Sequence, residues 1–167
     1  MTESQIGFVF FVNTVVIVLA QLPIARLAQG RRRMPTLALL GMLWASAWML
    51  VPLAGSARAG AAVWLLTTAM AVFAIGECLH GAVQAPLVAD LAEPRLLGRF
   101  MALSALSWQV GFALGPAIGG FVLAVSPSGV WFGAAVLCAL GGVLALAIEG
   151  ALPPRARRTP LPAPLSA

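Results

Sequence analysis

The stretch GFALGPAIGG, Gly111 to Gly120, combines a regular glycine spacing with a proline. A phosphate-binding glycine loop needs a strand before it and a helix after it, so that backbone N–H groups converge on the anion. Here the glycines lie inside the continuous apolar run LSALSWQVGFALGPAIGGFVLAV, which has no strand pattern. The spacing instead puts Gly111, Gly115 and Gly119 on one face of a membrane helix, which Pro116 is predicted to kink. We expect a neighbouring helix to pack closely against this face.

The composition of the whole chain points to a lipid environment. Of its 167 residues, 61% are hydrophobic and 9% are charged, whereas a soluble domain carries about 25% charged residues. The mean hydropathy is +0.99. One globular core cannot bury this much apolar surface, so the chain is predicted to lie in a bilayer. Its arginines stand in short clusters between apolar runs, which argues against nucleic acid as a partner.

Five apolar runs are long enough to span a membrane. The predicted fold class is therefore all-α, a polytopic membrane protein with five transmembrane helices in residues 1–150. The remainder, residues 151–167, is polar and Pro-rich and is predicted to be a disordered cytoplasmic tail. The predicted helices cover residues 6–25, 36–54, 60–89, 97–125 and 130–149.

The placement of the arginines orients this predicted bundle. Nine of the ten follow segments one, three and five, and only Arg58 follows segment two. The positive-inside rule puts the nine-arginine side in the cytoplasm, so in the plasma (inner) membrane the C-terminus lies inside and Met1 outside. A chain that begins outside the cell normally needs an earlier segment to deliver it. We therefore expect further transmembrane segments upstream.

Three stretches carry a resemblance to a known family. The pattern G-x-x-x-G-P-x-x-G-G resembles the motif of major facilitator superfamily antiporters on the fifth helix of their first half, which can recur on the eleventh helix. PIARLAQGRRR, residues 23–33, is similar to the family's loop motif G-x-x-x-D-R-x-G-R-R: Gly30, Arg31 and Arg32 match, while Leu27 replaces the aspartate and Pro23 the first glycine. LVADLAEPRLLGRFMAL, residues 87–103, resembles the loop between helices ten and eleven of drug-exporter-like members.

The missing aspartate, and the lack of an arginine inside segment three, favour helices eight to twelve over helices two to six. The resemblance thus implies the C-terminal part of a secondary transporter that moves a small solute by alternating access. It leans towards proton-coupled, drug-type efflux and implies no cofactor. The implied partners are the lipid bilayer, the missing first half of the transporter, a small-molecule substrate and a proton. We expect this chain alone not to transport.

Glu77 and His80 are the ionisable pair well inside an apolar segment. Their i, i+3 spacing puts them on one helix face. An intramembrane carboxylate is costly unless it is protonated, paired or facing water, and a histidine changes its charge near neutral pH. Both residues are candidates for proton coupling. The alternative is that Glu77 bonds to a neighbouring helix and holds the bundle together.

Two charged loops are further candidates. Asp90, Glu93, Arg95 and Arg99 form a loop charge cluster that either makes inter-helix salt bridges or is a solvated loop that sets topology. The cytoplasmic loop motif Gly30 to Arg33, which adds Arg33 to the matching residues, has the same two interpretations. Polar residues within the segments, such as Asn13, Gln84 and Ser104, either line a cavity or bond across helices.

The sequence also allows a function other than transport. The glycine-proline motif, which includes Gly120, also suits a five-helix membrane scaffold or assembly partner with the glycine face as its interface. An enzyme is not predicted, because the sequence has no serine–histidine–acid arrangement, no paired catalytic carboxylates and no metal-ligand spacing.

Overall fold

The chain forms five long α-helices in the computed structural model, which describes residues 1–161. Within these residues there is no β-strand, and each long helix is apolar enough to cross a membrane, so the predicted all-α membrane fold is confirmed. Each helix begins and ends within three residues of its predicted segment. The helices are α1 (Glu3–Ala28), α2 (Arg33–Ser56), α3 (Ala59–Leu91), α4 (Leu97–Val125) and α5 (Gly129–Ile148).

Local signals set the helix ends. Thr2 and Gln5 form a capping box at the start of α1, in which the Thr2 hydroxyl accepts from the Gln5 backbone N–H and the Gln5 side chain accepts from the Thr2 N–H. The turn after α1 contains Gly30 at a φ of 70°, a left-handed conformation that favours glycine. α2 begins at Arg33, three residues after Gly30. This turn lies at the end of the bundle that carries most of the arginines, which we call the arginine-rich end.

Four of the helices form a closely packed group. α2 packs along both α5 and α3, and α3 packs along α1 on its other side. α4 is different: none of its residues is buried, and it touches α3 and α5 at only a few points. The chain is thus a four-helix slab with α4 attached at its edge.

The backbones of α2 and α5 approach each other closely. A Cβ atom built on Gly41 would lie 2.6 Å from the carbonyl oxygen of Cys138 and 3.1 Å from the Cα atom of Gly142. A Cβ atom on Gly142 would in turn lie 3.1 Å from the carbonyl oxygen of Ala38. The missing side chains let the two backbones approach and gain dispersion contacts, which drive helix association in lipid. Neither glycine belongs to the motif from which a close helix contact was predicted.

The glycine face of α4 differs from its prediction. A Cβ atom on Gly111, Gly115 or Gly120 would meet nothing within 4 Å, and one on Gly119 would meet only Val130, at 3.9 Å. No helix among residues 1–161 packs closely against this face, so the predicted tight interface is absent from the described part of the chain. The face opens instead onto an apolar cleft of about 570 Å³ between α4 and α5.

The predicted disorder after α5 is also corrected. Residues 149–161, which we call the C-terminal segment, form two 3₁₀ turns and pair with the α1–α2 loop. The backbone N–H of Thr159 donates to the Arg31 carbonyl at 3.0 Å, and that of Arg33 donates to the Arg157 carbonyl at 2.9 Å. This pairing orders the segment because it satisfies backbone groups that the loop leaves free. Residues 162–167 of the predicted tail lie outside the described residues.

The α2–α5 crossing gives a stability prediction. Gly41→Ala forces a methyl group against the backbone of α5, and we expect it to destabilise the fold by about 1–3 kcal/mol through overpacking. Gly55→Ala is the matched control in the same helix, because a Cβ atom there meets nothing within 4 Å. The measurement is unfolding of the detergent-solubilised protein by SDS titration. Equal stability of the two variants would contradict a close crossing.

Candidate functional site

The carboxylate of Glu77 lies at the contact between α1 and α3. Asn13 of α1 donates a hydrogen bond from Nδ2 to Glu77 Oε2 at 3.0 Å, and the same nitrogen lies 3.4 Å from the carbonyl oxygen of Met70. Both side chains are half-buried and lie well inside their helices. The contact therefore places a carboxyl group, with a neutral amide donor as its partner, within the apolar part of the bundle.

His80 has a separate environment. Its imidazole lies edge-on to Trp108 of α4, with ring centroids 5.1 Å apart, and stacks on Trp44 of α2 at 6.2 Å. No hydrogen bond or ion pair among the described residues joins it to Glu77. The two predicted coupling residues thus contact different helices: Glu77 faces α1, whereas His80 faces α2 and α4.

Trp44 of α2 contacts residues on both sides of Glu77 in the sequence of α3. Its ring stacks on Phe73 with centroids 4.9 Å apart, and its Nε1 donates to the Phe73 carbonyl at 3.1 Å. The indole lies directly over Gly76, where any side chain would overlap it. Gly76 lies directly before Glu77 in α3. A glycine within an apolar helix was the one feature of the sequence that could have indicated this close contact with a large side chain.

α4 is held to α3 by two side-chain contacts on one face. One is the His80–Trp108 pair, and the other is a hydrogen bond from Gln84 Nε2 to the hydroxyl of Ser104. Beneath α4, an apolar cleft of about 430 Å³ is lined by residues of α2, α3 and α5, including His80 and Gln84. Of the polar residues predicted to line a cavity or to bond across helices, Gln84 does both, whereas Asn13 and Ser104 bond across helices.

A buried ion pair lies at the arginine-rich end. The Arg33 side chain is fully buried, and its Nη2 lies 2.5 Å from Asp90 Oδ2 at the end of α3. Its Nη1 also donates to the carbonyl oxygen of Ala156, in the C-terminal segment, at 3.3 Å. Met34 and Leu87 belong to the small apolar cluster around this site. The pair joins α2, α3 and the C-terminal segment.

A second ion pair joins the same loop to the end of α5. Arg32 donates to both carboxylate oxygens of Glu149, at 2.8 and 2.7 Å, in a bidentate arrangement. The Thr159 hydroxyl adds hydrogen bonds to the carbonyl oxygens of Ala28 and Arg31. The C-terminal segment therefore covers the loop motif.

The predicted loop charge cluster does not form as one unit. Asp90 pairs with Arg33 of the other loop, while Glu93 pairs with Arg95 at 2.9 Å in an exposed contact. Arg31 and Arg99 are exposed. Arg32, Arg33 and Asp90 therefore form bonds between helices, as the first interpretation of the loops predicted. The other charged residues of the two loops are exposed, as the second interpretation predicted. Within residues 1–161 no group of three or more His, Cys, Asp or Glu side chains is arranged to hold a metal ion.

The two kinds of ion pair predict different costs of removal. Arg33→Met removes a buried guanidinium and leaves the Asp90 carboxylate, which is 37% exposed, without its partner, and we expect a loss of about 2 kcal/mol in the free energy of unfolding. Arg95→Met removes an exposed pair and is expected to cost below about 1 kcal/mol. SDS or thermal unfolding of both variants measures the difference. A loss for Arg33→Met as small as that for Arg95→Met would show that the buried pair does not stabilise the arginine-rich end.

Comparison with known proteins gave one curated relative and one family match. An uncharacterised MFS-type transporter, YhjO, of Bacillus subtilis (strain 168) is 37% identical over 93 residues, which are 56% of this chain and 23% of that protein. The match thus spans under a quarter of that relative's length. No solved structure matches the chain significantly. The family model of the Major Facilitator Superfamily matches residues 1–166, and the chain therefore belongs to the Major Facilitator Superfamily.

Proposed function

We propose that the chain is the C-terminal portion of a secondary transporter, corresponding to helices eight to twelve, and that it moves a small solute by alternating access together with the preceding helices. The match to under a quarter of a transporter's length supports this proposal. So does the glycine face of α4, which is open to an apolar cleft in the chain by itself. The arginine-rich end lies in the cytoplasm and the protein in the plasma membrane, as the positive-inside rule expects.

The observation that carries a proton-linked mechanism is the hydrogen bond between Asn13 and Glu77. A carboxyl group inside a membrane bundle is stable as the neutral acid or when it is paired. Here the partner is a neutral amide, so ionisation changes the strength of the α1–α3 contact, since hydrogen bonds to a carboxylate are stronger than those to a neutral acid. Protonation and deprotonation of Glu77 thereby alter how α1 sits on α3. We propose that this couples a proton to efflux of drug-type solutes.

Infrared difference spectroscopy tests the proton-linked step without a known substrate. In a pH titration of the protein in nanodiscs, Glu77 is expected to contribute the carbonyl band of a protonated carboxyl group within an apolar site. Glu77→Gln removes this band, whereas Glu3→Gln, at the exposed start of α1, leaves it unchanged. A spectrum unaltered by Glu77→Gln would contradict a protonatable Glu77 and with it the proton-linked mechanism.

Transport assays test the larger proposal. The purified chain in proteoliposomes is expected to show no concentrative transport, because one wall of a two-domain cavity is absent. The DNA upstream of Met1 is expected to encode about seven further apolar segments, the number that completes a transporter of two six-helix halves. Concentrative uptake or efflux by the chain alone would overturn the proposal.

The open glycine face favours one second candidate, a five-helix scaffold without transport activity. In that case the face of α4 is the interface with another protein or another copy. Gly115→Leu fills this face at a position where an added Cβ atom meets nothing within 4 Å, and it would then abolish assembly in size-exclusion chromatography with light scattering. A stop codon and a promoter directly upstream of Met1 would favour this candidate over the transporter.

A further inference from the structure

An apolar groove runs along the outer surface between α1, α2 and α3, near the arginine-rich end. Its volume is about 280 Å³, and it extends past Thr36 to Leu43, which is about 10 Å along α2. A single extended chain laid along this length would contact apolar side chains from three helices. Its walls are formed by Ile24, Leu27, Leu39, Leu43, Ile75 and Leu79.

Arg31 lies at the mouth of this groove and lines it. Its backbone is fixed from two sides: its N–H donates to the Ala28 carbonyl at 3.1 Å, and its carbonyl accepts from the Thr159 N–H at 3.0 Å. The left-handed Gly30 directly before it completes the turn. Its guanidinium is exposed and forms no hydrogen bond or ion pair with any residue between 1 and 161. The backbone of Arg31 is therefore fixed, whereas its guanidinium has no partner among residues 1–161.

No side-chain carboxylate within residues 1–161 is left to neutralise Arg31. The five acidic residues of the sequence include only three at the arginine-rich end, and each of these pairs with another arginine. Of the other two, Glu3 lies in the first turn of α1, at the opposite end, and Glu77 bonds to Asn13. A free guanidinium at the end of an apolar groove calls for an anionic group attached to an apolar chain.

We infer that this groove binds an anionic phospholipid, with one acyl chain along the apolar walls and the phosphate on Arg31. A guanidinium matches phosphate oxygens with two parallel N–H donors, so it provides direction as well as charge. The arginine-rich end carries an excess of positive charge, which draws anionic headgroups to this side. The inference does not depend on transport activity, because it rests only on the groove and on the unpaired arginine.

Native mass spectrometry of the full chain tests the headgroup contact. The detergent-solubilised protein is titrated with phosphatidylglycerol and with phosphatidylcholine of identical acyl chains. We expect tighter binding of phosphatidylglycerol, and Arg31→Gln should weaken it about fivefold, the effect of one basic residue at a membrane surface. Arg99→Gln is the matched control, since Arg99 is also an exposed arginine of the same end but does not line the groove. Phosphatidylcholine binding should change with neither variant.

A second pair of variants tests the acyl-chain contact. Leu39→Trp fills the groove, whereas Met42→Trp adds the same bulk at a residue of α2 that is similarly exposed, 58% against 53%, but lies outside it. We expect Leu39→Trp to lower phosphatidylglycerol binding at least about fivefold and Met42→Trp to leave it unchanged, because apolar burial contributes about 0.8 kcal/mol per methylene group. Both sites are exposed, so both variants should retain the circular dichroism of the parent.

Four results would overturn the inference. Three of them are equal losses for Arg31→Gln and Arg99→Gln, equal affinity for the two lipids, and full displacement of phosphatidylglycerol by inorganic phosphate at matched concentration. The last result would show that the anion alone is recognised and that the groove holds no acyl chain. Binding of the lipid that is insensitive to Leu39→Trp would lead to the same conclusion.

Discussion

The burial of one guanidinium, that of Arg33, organises the arginine-rich end of this protein. A charge removed from water must be paired and hydrogen-bonded, or the fold loses several kcal/mol. The chain meets this requirement with groups from two distant parts of the sequence, Asp90 at the end of α3 and the carbonyl of Ala156 after α5. The C-terminal segment is ordered for the same reason, since its Ala156 carbonyl accepts a hydrogen bond from Arg33 and the segment shields the guanidinium from water. Loop, helix end and C-terminal segment therefore form one structural unit.

A different principle stabilises the interior of the slab, where few polar groups are available. Close contact of α2 with α5 depends on glycines, and contact of α2 with α3 depends on Trp44 lying over Gly76. α4 has neither a glycine contact nor a buried residue and is attached mainly through His80–Trp108 and Gln84–Ser104. The part of the chain that is packed most firmly is thus distinct from the part that is open to a partner. This division is what the proposed pairing of the chain with further helices requires.

The helices were predictable from the sequence because lipid imposes a simple length and hydropathy requirement on every span. The partners of the charges were not, because the identity of the acid that meets Arg33 depends on which helix ends converge. The glycines illustrate the same limit. The spacing on α4 predicted a tight contact that the described chain does not make, whereas Gly41 and Gly142 make one without any regular pattern. The C-terminal segment was mistaken for a disordered tail because a Pro-rich composition does not reveal backbone pairing with a remote loop.

The α2–α5 crossing also has a consequence for biogenesis. Gly41 and Gly142 lie at opposite ends of the chain, separated by α3 and α4, so α2 enters the bilayer well before its main partner has been synthesised. At about 5–20 residues per second, the ribosome takes on the order of 5–20 s to make the intervening hundred residues. During that interval the glycine face of α2 is covered only by lipid or by the insertion machinery. The contact between α2 and α5 therefore forms only after α5 has left the translocon.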